Sequence, residues 1–169
     1  MEWPDRHHFR AAVGWLELGN LSEARAELDC VSGRHRTLPE VLALDSQLLA
    51  AGKEWTQAAG VAEAWVEAIP DNPEAWIHRS YALHELGRTQ DAWDKLLPAA
   101  TLFPGISTIA YNLACYACQL SELDAARRWL RRTMTTLQNQ GERSSWRLAA
   151  QQDPDLKPLW DEIRSGTLR

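Results

Sequence analysis

Cys115-Tyr-Ala-Cys118 is the one Cys-x-x-Cys of the chain. Two thiols at that spacing can hold zinc or cycle between dithiol and disulfide. Zinc normally takes a second ligand pair, and the sequence has no second Cys-x-x-Cys and no His-x-x-x-His. A thioredoxin-like dithiol sits at a strand–helix junction, whereas the pattern around these cysteines is helical. The pair therefore reads as two small residues packed within a helix, with no metal ligand and no catalytic residue assigned. His7 and His8 are adjacent, so they do not share a helix face. His78, Tyr81, His84 and Glu85 form a titratable patch on one helix, but no nucleophile, base and orienting group come together there. Arg127, Arg128, Arg131 and Arg132 make a basic stripe at i, i+1, i+4 and i+5. It reads as a solvated face or as a docking patch for an acidic partner or a phosphate backbone.

The elements that position these residues are helices. From Asn72 to Pro104 the spacing predicts two helices and a tight turn. Asn72 caps the first, Pro73 sits where a missing N–H costs nothing, and Gly87 stops it. Ala92, Trp93, Leu96, Leu97 and Ala100 form the apolar stripe of the second. Pro98 falls inside that helix and should kink or end it. Neither helix can bury its apolar face alone, so copies are expected. Ala24, Ala58, Ala92 and Ala126 recur every 34 residues. Twelve residues before each stands Ala12, Ser46, Ser80 or Ala114, and four after each stands Leu28, Ala62, Leu96 or Leu130.

On Trp76, Ser80, Leu83, Ala92, Leu96 and Pro104 the chain resembles the tetratricopeptide repeat family, over roughly Asp5 to Met134. Arg79 stands where the family usually has Leu, and Leu96 replaces an aromatic. The resemblance implies an all-α fold, a right-handed α-solenoid of four hairpins over about 5–38, 39–72, 73–106 and 107–137. Residues 138–169 follow as a polar linker and C-terminal capping helices. The stripe Leu156, Leu159, Trp160, Ile163 supplies the cap. The turn of the second hairpin reads as one residue longer than the others, counting from Gly52. Nine Trp residues read as core filling between helices.

A net charge of −5 and a pI near 5.5 argue against a nucleic-acid binder. Three Cys, an odd number in a chain that needs no staples, suggest a reducing compartment. The N-terminal MEWPDRHHFR has no apolar h-region, and no apolar run is long enough to span a membrane. A cytoplasmic protein is expected.

In the resembled family the first helix of each hairpin lines a groove for partner peptides. Carried over, that groove presents His78, Tyr81, His84 and Glu85 from the third hairpin and Tyr111, Asn112, Cys115 and Gln119 from the fourth. His78, Tyr81 and His84 are expected to face outward. The resemblance implies a non-enzymatic interaction module without cofactors. Its partner would be a protein or peptide segment lying across the third and fourth hairpins, with the arginine stripe as a secondary surface. The alternatives are a small metal- or redox-active protein using Cys115, Cys118 and His84, and a self-association module acting through exposed Trp.

Overall fold

The computed structural model describes residues 1–168, and among them every regular element is a helix. The chain forms two compact units, Met1–Leu86 and Gly87–Arg169. The division falls inside the segment 73–106, which the sequence treats as one hairpin.

The first unit contains α1 (Asp5–Glu17), α2 (Leu21–Asp29), a 3₁₀ turn (Gly33–His35), α3 (Pro39–Ala51), α4 (Trp55–Ala68) and α5 (Pro73–Glu85). Pro39 and Pro73 open their helices, where no N–H is needed. The side chains of Asn20 and Asn72 accept from Glu23 N–H and Glu74 N–H, each satisfying a donor that the helix leaves open. α1 packs on α2, α3 on α4, and α4 on α5. Ala12, Ala24, Leu28, Val31, Val41, Leu44 and Leu48 make one core cluster, and Leu42, Trp65, Val66 and Ala75 another. Asp5, 4% exposed, ties the start of α1 to the 3₁₀ turn through Ser32 and His35. Hydrogen bonds from Ser32 and His35 hold its carboxyl down to about 2.

The second unit contains α6 (Thr89–Leu96), α7 (Ala99–Leu102), α8 (Ser107–Gln119), α9 (Leu123–Thr136) and α10 (Gln140–Ala150). A 3₁₀ turn (Pro154–Leu159) and α11 (Trp160–Ser165) follow. Pro98 separates α6 from α7, as its missing N–H requires. α8 packs on α9, and both α6 and the 3₁₀ turn pack on α8.

All four Ala columns are sealed: Ala24, Ala58, Ala92 and Ala126 are at most 1% exposed, as are Ala12, Ser46, Ser80 and Ala114. The turns keep the same period. Left-handed φ recurs at Gly19, Lys53, Gly87 and Ser121, at 74°, 58°, 74° and 65°, each 34 after the last, and Gly166 takes it again at the end of α11. Lys53 therefore occupies the glycine position, and the second turn is not longer. Gly52, with ordinary φ, closes α3 one residue earlier.

Two further expectations are corrected. The segment 138–145, read as a linker, is mostly the first part of α10. Asn139 accepts from Glu142 N–H, and the Glu142 carboxylate accepts from Gln138 N–H and the Asn139 amide. This is a variant of the capping box, closed on Gln138 N–H and the Asn139 amide rather than on the N-cap's own N–H, and it stabilises a helix start in a polar sequence. Of the nine Trp, Trp65 alone is buried in the core, at 2% exposure, while Trp3 is 77% exposed and Trp15 37%. The remaining Trp rings are half-buried, and most work through edge contacts and hydrogen bonds.

Candidate partner-binding site

The residues assigned to the groove fall on α5 in the first unit and α8 in the second. On α5, Tyr81 is 43% exposed and meets the Trp55 ring edge-on at 5.6 Å. Glu85 is exposed and His84 half-buried. His78 does not face outward. Its Nδ1 lies 3.1 Å from Ser46 Oγ and its ring 5.5 Å from Trp65. Burial lowers its pKa, against the opposing pull of Glu74. The signal was in the register: the residue 34 before His78 is Leu44, a core residue 5% exposed. Arg79, the departure from Leu, is also buried. Its guanidinium lies over Trp76 at 4.8 Å and bonds Glu63 at 3.1 Å, so a flat cation replaces an aliphatic side chain.

On α8, Tyr111, Cys115 and Gln119 stand at i, i+4 and i+8, hence on one face. The chain's own segment from Asp153 lies along that face. Tyr111 donates its hydroxyl to Asp153 Oδ2 at 2.5 Å, and Cys115 Sγ lies 3.6 Å from the same oxygen. Gln119 Nε2 donates to the backbone carbonyl of Asp155 at 3.0 Å. Asp153 also caps the following 3₁₀ turn by accepting from Asp155 N–H, and its carbonyl accepts from Trp160 Nε1. Leu156 and Leu159 are 0% exposed, and Trp146 of α10 meets Tyr111 edge-on at 6.3 Å. Asn112 is half-buried beside them.

The surroundings of this face disfavour the ionised forms of its tyrosine and cysteines. Burial raises the Tyr111 hydroxyl pKa, and the Asp153 carboxylate adds to the effect. Burial, then the charges of Asp153 and Asp155, push the Cys115 thiol up as well. Cys118 is pushed to about 11, again by burial first. A nucleophilic or metal-binding cysteine needs the thiolate, so both thiols are shifted the wrong way. Cys115, Asp153 and Asp155 could offer three donor atoms within 4.8 Å of one another, but Asp153 is already engaged by Tyr111 and Cys115.

The arginine stripe divides. Arg127 makes a bidentate pair with Glu162 of α11, at 2.8 Å through both Nε and Nη2, and bonds Asp124 at 2.8 Å. Its hydrogen bonds to Glu162 raise the guanidinium pKa and lower that of Glu162. Arg132 lies over Trp129 and donates to the Ala100 carbonyl. Arg128 and Arg131 are exposed. Asp153, Asp155 and Glu162 were not among the residues singled out from the sequence. The capping stripe Leu156, Leu159, Trp160 and Ile163 runs through the same segment, but it is a signal of burial and marks none of the polar pairs.

Paired helices, a 34-residue register and buried Ala columns define a tetratricopeptide-type, all-α helical-repeat fold. Solved structures agree. One crystal structure of MamA, a tetratricopeptide-repeat protein, superposes with a TM-score of 0.76 at 17% identity, covering 95% of this chain and 86% of that one. A second MamA crystal structure gives 0.73 at 10% identity, over 79% of this chain and 78% of that one. No protein-family model matches the sequence. The search of curated proteins finds no match either. Among the described residues, no helix is long and apolar enough to cross a membrane.

Proposed function

We propose that the chain is a protein-interaction module that performs no chemistry of its own and holds short peptide segments on the inner faces of its first-of-pair helices. The observation that carries this reading is the hold of α8 on the Asp153–Leu159 segment. A tyrosine hydroxyl takes a carboxylate, a glutamine amide takes a backbone carbonyl, and two leucines are fully buried. These are the components of peptide recognition: contact area from apolar anchors and register from backbone hydrogen bonds. The similarity to MamA supports the scaffold but names no partner. On α5, Tyr81, His84 and Glu85 form the second candidate surface, with His78 behind it as packing. Arg128 and Arg131 remain candidates for a secondary acidic contact.

The test is capture of partners from native lysate by wild type, Tyr81→Ala and Asn112→Ala in parallel. Each variant should weaken retention by about 1–2 kcal/mol without moving the melting temperature. Partners retained equally by all three would place the binding surface elsewhere.

A further inference from the structure

The 34-residue register extends beyond the fourth hairpin. α1, α3, α5 and α8 start at Asp5, Pro39, Pro73 and Ser107, and α10 starts at Gln140, one residue short of the same step. Its member of the small-residue column is Leu148, 34 residues after Ala114. The four earlier members are at most 1% exposed, whereas Leu148 is 61% exposed. The next second-helix step, 34 residues after Leu123, falls at Lys157, in the 3₁₀ turn that leads into α11. α11 packs on α10 and pairs Glu162 with Arg127 of α9, and Leu148 stays uncovered. Beside Leu148 lies an open cleft of about 430 Å³ bordered by Met134 of α9 and by Arg143, Ser144, Arg147 and Gln151. Both charged residues that line it are arginines, and none is acidic. The Arg143 guanidinium donates through Nε and Nη2 to the Leu137 carbonyl, which holds its charge at the rim of the cleft. The residues that line the cleft lie on α9, α10 and the residue that follows α10, and none of them is among the α5 and α8 residues proposed above.

We propose that this cleft accepts an acidic amphipathic α-helix of another protein, which packs over Leu148. The apolar floor of Leu148 and Met134 takes the apolar stripe of such a helix. Arg143 and Arg147 take carboxylates flanking the stripe. The commitment to an acidic occupant follows from the arginines: a basic helix would meet like charge on both sides.

A display library of helical peptides selected on the full chain tests this, with Leu148→Asp as the counter-selecting variant. The selection should enrich amphipathic sequences with Asp or Glu flanking an i, i+3, i+4, i+7 stripe. Enriched peptides, synthesised and titrated by fluorescence anisotropy, should lose about tenfold or more in affinity to Arg143→Glu and to Arg147→Glu. Tyr81→Ala should leave that affinity unchanged. Circular dichroism of the variants establishes that they are folded. No enrichment over Leu148→Asp, or enriched peptides indifferent to both arginine reversals, would overturn the proposal. A wild-type dimer by sedimentation velocity that Leu148→Asp dissociates would also overturn it, since the cleft would then belong to a second copy of this chain.

Discussion

Asp153 shows how much one side chain organises in this protein. One oxygen accepts from Tyr111 and lies near Cys115, the other caps its own 3₁₀ turn, and its carbonyl holds Trp160. Buried polar groups are tolerated when each is satisfied, so the segment is fixed in register as well as in place. His78 carries the prediction at this scale. Burial depresses its pKa below 6.5, so the folded state prefers the neutral ring. The stability linked to this group is present above pH 6.5. It is lost as pH falls below that value, because the unfolded chain then binds the proton more readily. Denaturant stability should accordingly drop between pH 7.5 and 5.5, and His78→Gln should remove part of that drop. Asp5, held near 2, contributes above the ordinary carboxylate range and stays constant across this window. An unchanged pH dependence in His78→Gln would show that the ring is solvated.

At the scale of elements, the turn positions carry the clearest test. Gly19 and Gly87 take left-handed φ with nothing within 4 Å of an added Cβ, so the cost of a side chain there is purely conformational. Gly87→Ala should destabilise by about 1 kcal/mol, and Lys53→Gly should stabilise by ~0.5–1 kcal/mol at the equivalent turn. Thermal melts of both variants check the pair, and equal signs would contradict a shared turn geometry. Ala92, 0% exposed, leaves no room, so Ala92→Leu should cost about 1–3 kcal/mol by overpacking. The helices were legible because their signals are local and periodic: the Ala columns, the Pro starts, Asn72 and Pro98. Lys53 hid the second turn because it is not the residue that φ favours. The Asn139–Glu142 box was overlooked because its sequence is polar throughout. The placement of the tail on α8 was illegible for a different reason. It depends on pairs 35 to 42 residues apart, Tyr111 with Asp153 and Arg127 with Glu162, which no periodicity marks.

On the scale of the whole molecule, the α8 face proposed for recognition is occupied by the chain's own tail. Removal of residues 153–169 should uncover Cys115 and Cys118, now 4% and 5% exposed, and lower the melting temperature. A thiol reagent should then titrate all three cysteines in the truncated chain, against Cys30 alone in the native protein. Equal titration in both would place the tail elsewhere. The central claim is that α8 is a face that holds a peptide. It is tested most directly by folding the full chain with a protease site at 151–152, cutting it, and measuring the affinity of the released C-terminal peptide for the remaining chain. The account predicts reversible one-to-one rebinding that Tyr111→Phe and Gln119→Ala each weaken by about 1 kcal/mol. Rebinding indifferent to both substitutions, or no rebinding to a chain that is still folded, would contradict it.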